Sequence, residues 1–165
     1  MTVLFVPTMT VEKDKRVRQV RFMIWGGVNA GKTTLINALQ TTAPATARKT
    51  QMIEYLGTAI DTPGEYAELG HLRRNLQAIA ADAKVLLVVQ DVTRAETRIP
   101  PNFFSGFPQP IIGAVTKMDL ATGAAADQAT RLLRQIGVSG EIFYVSAFNG
   151  SGLDQLRQSL LTYLQ

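Results

Sequence analysis

The stretch GGVNAGKT at residues 26–33 limits the fold of this chain more than any other part of the sequence. Glycine, four residues and then glycine-lysine-threonine is the spacing of a loop that binds phosphate through backbone N–H groups and a helix N-terminus. Apolar runs over 20–25 and 34–39 predict a strand before the loop and a helix after it. An ordinary tight turn needs neither the lysine nor the hydroxyl. We therefore predict nucleotide binding by Gly26, Val28, Asn29, Ala30, Gly31, Lys32, Thr33 and Thr34.

Composition narrows the class of protein. The 165 residues are 46% apolar and 18% charged, which suits one globular domain, here predicted over 17–165 after an N-terminal extension over 1–16. The absence of cysteine excludes disulfides and thiolate metal sites, and a single histidine excludes a histidine metal cluster. The lack of a long apolar run or secretory pattern predicts a cytoplasmic protein without a membrane span. Net charge is +4, but the basic cluster over 13–21 has no interleaved aromatic residues, so no nucleic-acid partner is expected.

Strand-like and helix-like segments alternate along the chain. Strands are predicted over 20–25, 51–55, 58–61, 85–89, 111–115 and 142–145, and helices over 34–39, 65–80, 124–136 and 153–164. The polar, proline-containing segment over 93–109 predicts no full helix and at most a turn over 102–106. This alternation indicates an α/β fold, with a mostly parallel sheet of about six strands covered by helices on both faces. Ligands in such folds bind beyond the carboxyl ends of the strands.

Three short motifs follow predicted strands at that edge. In the sequence DTPG, Asp61 is placed to hold a magnesium-bound water and Gly64 to offer an N–H to a terminal phosphate. In TKMD, the Asp119 carboxylate is suited to accept two hydrogen bonds from guanine, which adenine does not offer. A turn at a strand end explains each motif alone, but not all of them in order. The third motif is SA at 146–147, and the predicted base contacts are Thr116, Lys117, Asp119, Ser146 and Ala147.

These motifs together resemble those of small P-loop GTPases of the translation-factor-related superclass, over about residues 17–165. The segments KTQMIEY at 49–55, DTPGEY at 61–66 and IPPNF at 99–103 are similar to the EutP/PduV type of ethanolamine and propanediol utilisation. The resemblance implies a Ras-like fold, GTP or GDP with Mg²⁺, and association with bacterial microcompartments. It also implies that Thr50 joins Thr33 and Asp61 as metal-binding residues. The catalytic residues that it implies are Lys32, Thr50, Gly64 and Glu65.

Three residues depart from, or add to, the GTPase pattern. Thr116 stands where many relatives have asparagine, which predicts weaker bracing of the loop but unchanged guanine choice. Glu65 stands where Ras-like enzymes have a glutamine that orients water, which predicts slow hydrolysis in the absence of a protein partner. Asn29 occupies the place of an asparagine that helps to bind K⁺ in potassium-activated GTPases.

The preferred interpretation is a magnesium-dependent GTP-binding switch that hydrolyses GTP slowly. Its partner is an effector or activator protein that the sequence does not identify. Two alternatives stay open. One is a phosphotransferase that passes the terminal phosphoryl group of ATP to a small metabolite. The other is a non-catalytic adaptor gated by nucleotide.

Overall fold

The computed structural model describes residues 21–27, 29–41, 60–61, 73–81 and 83–164. The strands in this part of the chain are β1 Arg21–Gly26, β2 Ile60–Asp61, β3 Ala83–Asp91, β4 Ile111–Thr116 and β5 Ile142–Tyr144. The helices are α1 Lys32–Thr41, α2 Arg73–Ala80, α3 Ala125–Gln135 and α4 Leu153–Leu164, with a 3-10 turn at Met118–Leu120. Strands and helices therefore alternate as the sequence predicts, except that turns and no helix connect β3 to β4.

The strands form one parallel sheet in the order β2-β1-β3-β4-β5. Chain order reverses beside β1, which has β2 on one side and β3 on the other. In open parallel sheets this reversal opens a crevice beyond the strand ends, where ligands bind. The predicted α/β class is confirmed. The sixth predicted strand, over 51–55, lies outside the described residues.

Both faces of the sheet are buried, which explains why the strands are almost continuously apolar. In β1, Phe22 and Ile24 face one core, while Met23 and Trp25 face the other. The first core receives α1 and α4, and the inward α4 positions Leu153, Leu156, Leu160 and Leu164 are buried as predicted. Buried side chains of this size each stabilise the fold by roughly 1.5–3 kcal/mol.

The second core contains an aromatic cluster in addition to side chains from α2 and α3. Trp25 lies with ring centroids 5.7 Å from Phe103, 5.3 Å from Phe104 and 6.0 Å from Phe107. These phenylalanines belong to the segment between β3 and β4, where residues 101–106 form turns rather than a helix. The prediction of no full helix there is confirmed. The aromatic rings fill the space against the sheet instead.

The helix boundaries differ from the predictions in detail. Helix α1 runs over ten residues and begins at Lys32, earlier than the predicted residue 34. Helix α3 ends before Gly137, whose φ of +108° is the left-handed conformation that glycine tolerates best. Arg157 was not predicted to be buried. Its Nε donates to the Leu39 carbonyl at 3.1 Å and so ties α4 to the end of α1. The predicted helix over 65–80 is described only from Arg73 onward.

Candidate functional site

The loop after β1 takes its shape from two glycines. A Cβ on Gly26 would stand 2.8 Å from the Val89 carbonyl oxygen of β3, so only glycine fits beside that strand. Gly31 has φ +88°, and Asn29 also adopts a positive φ of 60°. Positive φ at a non-glycine residue is uncommon, and asparagine is among the residues that tolerate it best. The loop backbone is therefore held in a specific curve ahead of α1.

Lys32 begins α1 and folds back over this loop. Its Nζ donates to the carbonyl oxygens of Gly26 and Gly27, at 2.9 Å each. Thr33 and Thr34 follow in the first turn of the helix and are exposed, while Ala30 is buried. The helix N-terminus, the lysine and the Thr33 hydroxyl therefore stand at one end of the loop. This end suits an anion, because the N–H groups of a first helical turn lack intrahelical partners.

Thr116 connects the end of β4 to this loop. Its hydroxyl is buried and donates to the Ala30 carbonyl at 2.7 Å, across 86 positions of sequence. The sequence predicted weaker bracing by threonine than by asparagine. The threonine hydroxyl nevertheless makes a direct, buried hydrogen bond to the loop.

Lys117 makes a second connection. It adopts φ 60°, which is unusual for a side chain of its size. Its Nζ donates to the Asn29 carbonyl at 3.0 Å and to Asp91 Oδ2 at 2.6 Å. The Cε atom passes 4.0 Å from the position that a Cβ would take on Gly31. The lysine stem therefore lies across the loop, with its ammonium group fixed at the end of β3.

Asp91 is a residue that the sequence interpretation missed. It is the last residue of β3, lies opposite Thr116 in the sheet and is only 2% exposed. Thr93 donates to its Oδ1 twice, from the backbone N–H at 2.8 Å and from the hydroxyl at 2.7 Å. Burial disfavours the charged carboxylate, but hydrogen bonds from Lys117 and Thr93 outweigh it and lower the pKa of Asp91 below its ordinary 3.8.

Asp119 and Ser146 form the far end of the site. Ser146 is buried after β5, and its hydroxyl donates to Asp119 Oδ1 at 2.6 Å. The Asn149 backbone N–H donates to the same hydroxyl oxygen at 3.2 Å, which fixes its orientation. Ala147 follows and is half-buried. The exposed Asp119 carboxylate is thus anchored by one oxygen.

Several predicted site residues lie outside the described part of the chain. These are Val28, Thr50, Gly64 and Glu65. Asp61 is placed by its backbone alone, at the end of β2 and opposite Ile24 of β1. It therefore lies at the same sheet edge as Gly26.

A cavity of about 370 Å³ lies next to the loop. Gly27 and Ala30 line one side, and the segment after β3 lines the other. Its charged lining residues are Asp91, Arg94, Glu96 and Arg98. Polar groups therefore surround a space that adjoins the predicted phosphate position.

The described residues contain no group of three or more acidic or histidine side chains arranged to hold a metal. The chemistry of the predicted donors still fits Mg²⁺, which binds few protein oxygens and otherwise uses water and phosphate. The exposed Thr33 hydroxyl in the first turn of α1 is such a donor. Within the same described residues, no helix has the length and apolar character needed to cross a bilayer.

Comparison with known proteins identifies the group. The model of the PduV-EutP family, described as ethanolamine utilisation and propanediol utilisation, matches residues 19–162. The chain belongs to this family. It is 34% identical to propanediol utilization protein PduV of Citrobacter freundii over 136 residues, 82% of this chain and 89% of that protein. It is also 34% identical to a probable acetate kinase EutP of Escherichia coli K12 over 139 residues, 82% of this chain and 86% of that one.

Solved structures support the fold. A probable GTP-binding protein, engB, superposes with a TM-score of 0.61 at 20% identity, over 88% of this chain and 98% of that one. At this identity the likeness establishes architecture only. The family member therefore has the Ras-like P-loop fold that its motifs predict.

Proposed function

We propose that this protein binds GTP and GDP with Mg²⁺, hydrolyses GTP slowly and acts as a nucleotide switch. One observation carries the proposal. Thr116 and Lys117 are hydrogen-bonded to the phosphate loop, so the carboxylate of Asp119 is held at a fixed place relative to Lys32. A nucleotide is recognised by both ends at once when the base-reading group and the phosphate cradle are joined in this way.

The base preference follows from hydrogen-bond chemistry. Guanine presents a ring N–H and an exocyclic amine on one edge, and a carboxylate accepts both. Ser146 already donates to one oxygen of Asp119 and orients it. Adenine would leave the carboxylate without matching donors, and an unpaired polar group in a closed site costs about 1–3 kcal/mol. The Ala147 N–H is expected to face the guanine oxygen.

Thr33, Thr50 and Asp61 are proposed to hold Mg²⁺, directly or through water. When bound, the ion neutralises charge on the outer phosphates. Lys32 stabilises negative charge on the same phosphates, and Gly64 offers a backbone N–H to the terminal one. Water attacks the terminal phosphorus in line as the bond to the bridging oxygen breaks.

Glu65 is expected to keep this reaction slow. A carboxylate near the terminal phosphate is repelled by it and cannot donate as the amide of glutamine does. Loss of such assistance lowers the hydrolysis rate by about 10³–10⁵-fold, which corresponds to an activation free energy higher by roughly 4–7 kcal/mol. Turnover above about 1 per second without a protein partner would contradict this expectation.

The decisive experiment measures GTP and ATP affinity with Mg²⁺ together with phosphate release, for wild type and Asp119→Ala. We expect wild type to prefer GTP and the variant to lose GTP binding selectively. A wild-type preference for ATP would overturn the proposal. Tight GTP binding without any phosphate release would instead support the nucleotide-gated adaptor.

A second candidate is transfer of the terminal phosphoryl group to a small carboxylic acid. The cavity beside the phosphate loop favours it, because Arg94 and Arg98 line the space next to Gly27. One relative bears the name probable acetate kinase. In that reaction a carboxylate oxygen attacks the terminal phosphorus and yields an acyl phosphate and nucleoside diphosphate. Glu96 also lines the cavity and would repel a carboxylate, which counts against this candidate.

Acetate dependence separates the two activities. The test follows nucleoside diphosphate formation and trapped acyl phosphate with ATP or GTP, with and without acetate. A rate that rises with acetate and falls in Arg94→Ala would favour the kinase. Phosphate release that is independent of acetate favours the GTPase.

Potassium activation is proposed for Asn29. The residue is exposed in the phosphate loop, and its backbone is held by Lys117. An amide oxygen at this place would supply one ligand to K⁺ beside the phosphates. Hydrolysis is expected to be faster in potassium than in sodium buffer, and the difference should disappear in Asn29→Ala. Equal rates in both buffers for wild type would dispose of this role.

Microcompartment association is proposed from the family and from the names of its relatives. The expected partner is a shell component or a protein attached to it. The protein should sediment together with purified microcompartment shells, and the amount that sediments should depend on the bound nucleotide. Sedimentation that is the same with GTP, with GDP and without nucleotide would count against a switch at the shell.

A further inference from the structure

We propose that Asp91 is a positioning residue for the nucleotide. It holds the Lys117 ammonium so that the lysine stem spans the phosphate loop and joins it to the base-reading end of the site. The proposal rests on the proposed nucleotide-binding function. It assigns a role to a buried carboxylate that belongs to none of the motifs found in the sequence.

The sheet register places the two residues together. Asp91 ends β3 and is paired with Thr116 at the end of β4, so Lys117 directly follows the end of the neighbouring strand. Asp91 is 2% exposed, and the Lys117 side chain is 36% exposed. The ammonium group approaches from the solvent side, and the carboxylate beneath it is desolvated. Their separation of 2.6 Å is that of a charge-assisted hydrogen bond.

The carboxylate itself is held in a single orientation. Both hydrogen bonds from Thr93 go to Oδ1, which leaves Oδ2 directed at Lys117. Arg94 lies 4.0 Å from Oδ2, but its side chain is 56% exposed and solvent screens such a contact. Lys117 is therefore the principal cationic partner among the described residues.

Lys117 connects Asp91 to the phosphate loop. Its stem passes over Gly31, and its ammonium group also bonds the Asn29 carbonyl. Both loop residues have positive φ, as does Lys117 itself. At Lys117, which is not a glycine, such a conformation persists only where surrounding contacts fix it. Without Asp91 the ammonium would be drawn to water, and the stem would cease to be fixed over the loop.

A double-mutant cycle tests this role. Asp91→Asn keeps the shape of the side chain and removes its charge, and Lys117→Met keeps an unbranched stem without the ammonium. The dissociation constants of GDP and GTP are measured by calorimetry for wild type, both single variants and the double variant. We expect each single variant to weaken binding by about 10-fold, and the double variant to be no weaker than Lys117→Met alone.

Asp154→Asn is the matched control. It makes the same change in an acidic residue that pairs with Arg157 in α4. Its dissociation constants should stay within about 2-fold of wild type, because the Asp154 side chain is 85% exposed and its partner Arg157 bonds to Leu39 of α1. Thermal midpoints of all variants without nucleotide are recorded in parallel.

The thermal midpoints report the structural contribution of the ion pair, and a purely structural role would shift them without coupling the losses of nucleotide affinity. Lys117→Met leaves a buried carboxylate without its cation, which lowers the midpoint. Asp91→Asn in that background removes the uncompensated charge and should raise the midpoint again. If Asp91→Asn alone does not fold, Thr93→Val provides the second test. It loosens the carboxylate but keeps the pair, and should weaken binding by about 3-fold.

Two results would overturn the proposal while leaving the proposed function intact. One is unchanged nucleotide affinity in Asp91→Asn. The other is a double variant whose loss is the product of the two single losses. A wild type that prefers ATP would instead overturn guanine recognition, and the same cycle run with ATP would still decide the role of Asp91.

Discussion

The two ends of the site are held by different kinds of contact. At the predicted phosphate end, Lys32 donates to two main-chain carbonyls, and the loop shape depends on Gly26 and Gly31. At the base end, side chains hold side chains: Ser146 holds Asp119, and Asp91 holds Lys117. The predicted phosphate end therefore depends on backbone conformation and on one lysine, whereas the predicted base end depends on the identity of several side chains.

This difference predicts how substitutions at each end change nucleotide affinity and base preference. A backbone-defined cradle recognises any nucleoside triphosphate, so damage there should affect GTP and ATP alike. A side-chain-defined pocket distinguishes bases, so damage there should change preference. The hydrogen bond from Thr116 to the Ala30 carbonyl connects the two ends. A substitution of Thr116 should therefore affect the contacts of both ends.

The largest effect is expected from Lys32→Ala. Charge-assisted hydrogen bonds contribute about 1.5–3 kcal/mol each, so loss of the ammonium should weaken GTP and ATP by about 100-fold or more. Titration with both nucleotides checks this. Lys84→Ala, an exposed position in β3, is the control. A loss of affinity for only one of the two nucleotides would contradict the distinction between the two ends.

Gly26→Ala should reduce stability before it reduces specificity. The new Cβ would stand 2.8 Å from the Val89 carbonyl oxygen. Overpacking of this kind costs about 1–3 kcal/mol, and each kcal/mol lowers the thermal midpoint by about 2–4 °C in a domain of this size. Gly27→Ala is the matched control, since its Cβ would meet no described atom within 4 Å. Equal midpoints for the two variants would show that the loop can move away from β3.

Thr116→Val should weaken both nucleotides by about 5-fold, because it removes a buried hydrogen bond worth about 1 kcal/mol. Thr116→Ser retains the hydroxyl and should stay close to wild type. Calorimetric titration of both variants sharpens the comparison. Wild-type affinity in Thr116→Val would mean that the bond to Ala30 does not couple the two ends.

The smallest effect concerns acid stability. The native pKa of Asp91 is lowered, so below its ordinary 3.8 the unfolded chain takes up the proton first. The contribution of Asp91 is therefore complete above about pH 4 and is lost as the pH falls through the native pKa. Urea unfolding between about pH 6 and pH 3 should show a shallower decline in Asp91→Asn than in wild type. Parallel declines would show that folding does not lower the pKa of Asp91.

Much of the fold was accessible from the sequence. Apolar runs and their spacing predicted the described strands and helices, and the inward leucines of α4 in particular. The described motif residues between Gly26 and Ser146 fall at one edge of the sheet because parallel strands all end there.

Asp91 and the phenylalanine cluster were not predicted. The role of Asp91 depends on β3 lying beside β4 in a given register, and local sequence does not contain that pairing. A signal did exist for the aromatic cluster. Phe103, Phe104 and Phe107 stand within five residues of one another in an otherwise polar segment, and such a group needs somewhere to be buried.

Trp25 has a practical consequence. It is the only tryptophan of the chain, it directly precedes Gly26, and it is packed among aromatic rings with 0% exposure. Its fluorescence therefore originates at the residue directly before the phosphate loop. The unlabelled protein carries its own optical probe of that loop, and stopped-flow measurements can follow nucleotide arrival and departure there without an attached dye.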